Sequence, residues 1–153
     1  MGYAEKILQA VRAWHIVASG LPSAKVIPAD DKGTRPALPY LVIRVGVIAG
    51  IGSDERREHA LGRRIVAQRR ATVSVQAFGK VSHPIEEYIE AAALALADPV
   101  VANALDAAGL SIERVGAILD VPALLDTAIE NRKSRDYAVT FRLAGTPVNA
   151  VEL

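Results

Sequence analysis

Apolar residues at Ile7, Val11, Trp14 and Ala18 recur three and four positions apart, which places them on one side of a helix over residues 3–19, and Gly20 supplies its stop. Residues 21–39 carry Pro22, Pro28, Pro36 and Pro39 around Asp30-Asp31-Lys32-Gly33. No regular structure is expected in this connection beyond a turn at residues 31–33. The pattern then changes to period two. Residues 40–48 predict a strand with Leu41, Ile43, Val45 and Val47 on one side and Tyr40, Val42 and Arg44 on the other. Gly46, Gly50 and Gly52 loosen its end, a charged excursion fills residues 53–64, and residues 65–78 predict a second, longer strand. The two strands and the excursion make a hairpin with an extended arm.

Past Gly79, His83-Pro84-Ile85-Glu86 has the proline and early glutamate of a helix start. A helix to about residue 97 would bury Ile85, Ile89, Ala92 and Leu96 and keep Glu86, Glu87 and Glu90 wet. Asp98-Pro99 repeats the start signal for a short third helix carrying Val101, Leu105 and Ala108. Residues 111–119 predict a third strand and residues 136–143 a fourth, the latter alternating Tyr137, Val139, Phe141 and Leu143 against Asp136, Thr140 and Arg142. The stretch between them, with Glu130-Asn131-Arg132-Lys133, reads as a loop with at most one helical turn. Residues 146–153 read as an extended tail offering Val148, Val151 and Leu153 for docking.

The element order does not alternate strictly between strand and helix. It predicts one α+β domain over residues 1–153, a mainly antiparallel sheet of about four strands with two to three helices on one face. The chain's 153 residues suit a single domain with a real core. A hydrophobic share of 51% is high for a free-standing monomer and suggests surface buried against partners. Basic residues number 18 against 17 acidic, so no global field draws the chain to nucleic acid or an anionic membrane. Cysteine is absent, which removes disulfides, thiolate metal sites and cysteine nucleophiles. No secretory leader or membrane-spanning run is evident, so a soluble protein without a membrane partner is expected.

Candidate chemistry is sparse. His15, His59 and His83 lack neighbours at metal-ligand spacing, and no serine sits in a nucleophile elbow. The glycines at Gly46, Gly50 and Gly52 have the wrong spacing for a phosphate loop, and Asp54-Glu55 would repel the phosphate. Glu86 and Glu90 stand one helical turn apart but bring no further oxygen ligands. No catalytic residue, cofactor or metal is therefore expected. The unusual feature is a concentration of arginine at Arg56, Arg57, Arg63, Arg64, Arg69 and Arg70, against Asp54, Glu55 and Glu58. Guanidinium forks suit carboxylates and phosphates alike. The segment is either a solvated hairpin with internal ion pairs, or a contact with a neighbouring subunit or with DNA in a channel. No aromatic residues are interleaved for base stacking, which favours the subunit over DNA.

The strand entry Pro36-Ala37-Leu38-Pro39-Tyr40, the segment Arg69-Arg70-Ala71-Thr72-Val73-Ser74-Val75-Gln76-Ala77-Phe78-Gly79 and the later Leu96-Ala97-Asp98-Pro99 resemble phage neck or tail-terminator proteins. The resemblance runs over residues 21–143. It implies a non-enzymatic virion protein of the tail or neck, assembled in the host cytoplasm. Its subunits would form a homo-oligomeric, hexameric ring that ends tail-tube polymerisation and joins the tail to the head connector. Partners implied are the tail tube protein, a connector or adaptor protein, and DNA passing through the lumen. In such a ring, Arg56, Arg57, Arg63, Arg64, Arg69 and Arg70 are expected at the lumen or against Glu86, Glu87 and Glu90 of a neighbour.

Three other readings stay open from the residues. One is a head-completion or adaptor protein of the neck. Another is a small ligand-binding domain or enzyme built on Arg44, Gln76, Tyr137 and Arg142. The third is a regulatory nucleic-acid binder using the arginine segment.

Overall fold

The computed structural model describes residues 2–52, 54–59, 62–121 and 130–144. Helix α1 (Tyr3–Ser19) buries Ile7, Val11, Trp14 and also His15, and ends where Gly20, at φ 74°, donates its N–H to the Ile16 carbonyl. That positive φ is the conformation in which glycine carries no penalty. Arg12 reaches sideways from α1, donating to the Val26 carbonyl at 2.5 Å and to the Ser23 carbonyl at 2.6 Å. It pins down structure that the prolines seemed to forbid. A 3-10 turn (Ser23–Lys25) leads into strand β1 (Val26–Pro28), which pairs in parallel with β2 (Tyr40–Gly50). Pro28 is tolerated because it closes a short strand at the sheet edge. The expected turn is present, with the Gly33 N–H donating to Asp31 Oδ1 at 2.9 Å.

Strand β2 runs antiparallel to β4 (Gly62–Lys80), in register from Tyr40 opposite Phe78 to Val45 opposite Val73. The register then slips, and pairing resumes with Ile48 opposite Ala71. This bulge turns Val47 outward, where it is 85% exposed, and returns Ile48 to the core side. Period-two alternation had placed Val47 inside, and one inserted residue reverses it. A Cβ on Gly46 would lie 3.0 Å from the Thr72 carbonyl oxygen, so the bulge brings two backbones close at that glycine.

Strand β3 (Glu55–His59) continues the β2 side of the hairpin and pairs with the start of β4. The other edge of β4 pairs with β7 (Glu130–Ala144) along its whole length, from Val66 opposite Ala144 to Lys80 opposite Glu130. Strands β5 (Leu110–Val115) and β6 (Leu119–Asp120) follow the far edge of β7, with a register shift inside β5 between Ile112 and Arg114. The order is β1-β2-β4-β7-β5, with β3 beside β4 and β6 beside β7. Among the described residues the sheet therefore has seven strands where about four were expected. One extra strand, β1, comes from the proline-rich connection, and the other two are β3 in the charged excursion and the short β6. Residues 130–135, expected in a loop, belong to β7. Residues 122–129 and the tail 146–153 lie outside the described residues.

Helices α2 (Ile85–Ala95) and α3 (Pro99–Ala107) join α1 on one face of the sheet, as the α+β reading expected. Helix α2 stops two residues short of the expected end, and Asp98 caps α3 by accepting the Val100 N–H. Ala108, expected in the α3 stripe, is exposed because the helix has ended before it. Ile7, Val11 and Trp14 of α1 and Ile85 and Ile89 of α2 meet Leu41, Ile43, Val73, Val75, Tyr137 and Val139 of the sheet. Among the described residues the opposite face carries a small cluster of Ile27, Tyr40 and Val42, with Phe78 stacked on Tyr40 at 4.9 Å.

The turn from β4 into α2 is closely fitted. A Cβ on Gly79 would fall 2.5 Å from Ile85 Cγ2 and 3.0 Å from His83 Cβ, and Ile85 is buried with nowhere to move. Gly79→Ala is expected to cost about 1–3 kcal/mol through overpacking, measured as a lower urea midpoint at unchanged slope.

Candidate assembly surfaces

The arginine segment divides into two structural parts. Residues 55–59 of β3 pair with residues 62–66 at the start of β4 as a two-stranded ribbon, and among the described residues Val66 opposite Ala144 is where the β4–β7 pairing reaches it. Within the ribbon the register sets Arg57 opposite Arg64 and Glu58 opposite Arg63. Arg56 is exposed and has no partner among the described residues. Arg69 and Arg70 lie beyond the ribbon, in the body of the sheet. Arg69 grips Asp54 with both Nη atoms, at 2.9 and 3.2 Å, and holds that carboxyl below the usual carboxylate range. Arg70 grips Glu113 in the same forked way, at 2.7 and 2.6 Å, and lowers its pKa likewise. Such exposed pairs add little stability, but they occupy two of the six arginines within the subunit.

The acidic side of α2 also divides. Glu86 and Glu87 are exposed at its first turn. Glu90 accepts from Arg135 Nη2 at 2.5 Å, while Arg135 Nε donates to the Gly116 carbonyl at 2.9 Å. Arg135 is a buried cation on the helix-facing side of β7, so Glu90 serves as its counter-ion. No composition signal marked Arg135, because its role depends on β7 beginning six residues earlier than the alternation suggested. Asp54 and Glu113, the partners of Arg69 and Arg70, were likewise recognisable only from the strand register.

The residues weighed for chemistry do not converge. Tyr137 is buried in the core, 5.0 Å from the Trp14 ring. Arg44 is exposed on β2, opposite Ser74, and Gln76 accepts from Arg132 at 3.2 Å. Arg142 reaches Asp106 at the end of α3. His15 is a core residue, and His83 Nδ1 accepts the Lys80 N–H at 2.9 Å within the β4–α2 turn. His59 side-chain contacts lie outside the described residues. Gly46 and Gly50 belong to β2, and no helix follows Gly52 to hold a phosphate at its N-terminus. Among the described residues no three His, Asp or Glu side chains gather as metal ligands. A concavity of about 600 Å³ is an open hollow between the start of α1 and the β1–β2 end of the sheet, bordered by Glu5, Leu8, Pro28 and Arg44. No single helix among the described residues is long and apolar enough to cross a membrane.

The described surface exposes Arg56, the acidic residues Glu86 and Glu87 at the start of α2, and apolar side chains such as Val17, Val47 and Val100. Three comparisons bear on this. No curated protein matches the chain. Among solved structures, it is similar to a chain in the virion of a native gene transfer agent particle. The two are 17% identical, with 94% of this chain and 100% of that chain covered at a TM-score of 0.35. A family model for phage neck terminator proteins matches residues 5–151, nearly the full length. With its α+β fold and that match, the chain belongs to the phage neck terminator protein family, structural proteins of the virion's neck and tail.

Proposed function

We propose that this protein forms a homo-oligomeric, hexameric ring at the head-proximal end of a phage tail. The ring ends growth of the tail tube and presents its other surface to the head connector, with no catalytic activity of its own. The observation that carries this reading is the β3–β4 ribbon, in which residues 56–59 and 62–65 pair only with each other among the described residues. A two-stranded ribbon is marginal alone, and like charges directly opposite each other weaken it further, as at the Arg57 and Arg64 positions. An acidic surface on a neighbour would relieve both defects. Glu86 and Glu87 of α2 supply such a surface, being exposed and, unlike Glu90, not engaged by Arg135. A ring interface joins two different patches of the same chain, and this pairing has that form.

Reversing Arg63 and Arg64 to glutamate is expected to abolish ring assembly while leaving the circular dichroism spectrum and thermal midpoint unchanged. Adding Glu86→Arg and Glu87→Arg to the same chain should restore assembly. Assembly unaffected by the first pair removes the ribbon from the interface. Loss without rescue by the second pair moves the ribbon's partner elsewhere, to the lumen or to another neck protein.

A further inference from the structure

Strand β1 lies at the edge of the sheet, where a strand ordinarily presents a row of unpaired N–H and C=O groups that a second copy of the chain can extend. The Ala29 N–H donates to the Ile43 carbonyl. Because backbone groups alternate along a strand, Ile27 also faces β2, while Val26 and Pro28 turn theirs to the outside. Each group on that outer side is already satisfied within the subunit. The Val26 N–H donates to the Ser23 carbonyl, and the Val26 carbonyl accepts from Arg12 Nε at 2.5 Å. Pro28 has no N–H to offer, and its carbonyl accepts the Asp31 N–H at 3.2 Å. Arg12 Nη2 adds a bond to the Ser23 carbonyl at 2.6 Å, so a cation lies across the strand edge.

We propose that Arg12 and Pro28 seal this edge against strand addition and so keep copies of the chain from joining sheet to sheet. Growth of one sheet edge onto the other is head-to-tail and need not close, so it yields filaments in place of a defined assembly. Arg12 uses its donors on carbonyls of the edge itself, unlike Arg69 and Arg70, which hold carboxylates. Its charge is a second obstacle, since the β1 of another copy would bring its own Arg12 against it. The β5 edge is blunted by other means, a register shift between Ile112 and Arg114 with the charged Glu113 and Arg114 at that point. The inference does not depend on ring formation, because it concerns a surface closed to association.

Two full-length variants open the edge independently. Arg12→Met keeps the length of the side chain and removes its donors, whereas Pro28→Ala leaves Arg12 in place and supplies an outward N–H. Each is expected to show, by sedimentation, a weight-average mass at least about twice the parent's at the same concentration, with strand content by circular dichroism retained or increased. Val101→Ala serves as the control, since it weakens the core beneath α3, leaves β1 untouched and should keep the parent's mass. Every comparison is made with the parent, so a monomeric parent and a ring-forming one serve equally. Masses equal to the parent's in both edge variants would overturn the proposal. A Val101→Ala chain that associates as far as they do would also overturn it, because association would then follow lost stability and not an opened edge. If Arg12→Met does not fold, Pro28→Ala decides the matter through the same comparison.

Discussion

Trp14→Ala is expected to lower stability by about 3–5 kcal/mol, the cost of emptying a large aromatic site in a core. Domains of this kind are stable by about 5–15 kcal/mol, so the variant should be partly or largely unfolded at physiological temperature. Trp14 stands where three elements meet. Its ring lies 4.4 Å from His15 on α1 and 5.0 Å from Tyr137 on β7, the latter in an edge-on arrangement. Its Nε1–H donates to the Ala92 carbonyl of α2 at 2.8 Å. Removing the ring therefore opens the α1–α2–sheet junction. Trp14→Phe, which keeps most of the volume but loses the hydrogen bond, should cost about 1–2 kcal/mol. Urea titration followed by far-ultraviolet circular dichroism measures both. A loss of less than about 1 kcal/mol for Trp14→Ala would mean that the helices do not meet at this residue.

Acid is expected to destabilise the protein through one histidine. His15 is fully buried, with Nδ1 hydrogen-bonded to the Val11 carbonyl at 2.9 Å and Nε2 without a partner. Burial pushes its pKa down to about 4, against an ordinary 6.5, with the Val11 bond opposing only in part. Above pH 6.5 the imidazole is neutral in both folded and unfolded chains and contributes nothing to pH dependence. As pH falls below 6.5 the unfolded chain takes up the proton and the folded chain does not, so stability drops by about 1.4 kcal/mol per pH unit. The loss ends near pH 4, where the folded state also protonates, and totals roughly 3 kcal/mol. A His15→Gln chain, if folded, should lack this component of the slope between pH 6.5 and 4. Parallel pH profiles for the two proteins would show that His15 titrates normally and is not sealed in the core.

The helices were legible because each carries an apolar stripe at helical spacing with a glycine or an aspartate-proline at its boundary. Gly20 and Asp98-Pro99 function as the sequence suggested. Strands β2 and β4 were legible for the corresponding reason, their period-two alternation. The features that escaped depend on tertiary contacts. Strand β1 exists because Arg12 of α1 supplies hydrogen bonds and Val26 finds a place opposite Leu41. The charged start of β7 is a strand because its polar side chains acquire partners there. Arg132 lies over the Phe78 ring at 4.6 Å, Lys133 pairs with Asp120, and Arg135 pairs with Glu90. The bulge that exposes Val47 leaves no mark in alternation. His15 looked like an incidental histidine and proves to be part of the Trp14–Tyr137 junction. Of the proposed interface, the clustering of arginines was visible in the sequence. The separation of Arg69, Arg70 and Glu90 from the rest was not, because Asp54, Glu113 and Arg135 are brought to them only by folding.

Assembly of the subunit into a closed ring is the central claim, and the native mass of the purified protein over a wide concentration range, with negative-stain images of the same samples, tests it most directly. The expected result is a single closed species of several subunits with a central opening, its population growing with concentration. A monomer at every concentration, unchanged when tail tubes are added, would contradict it.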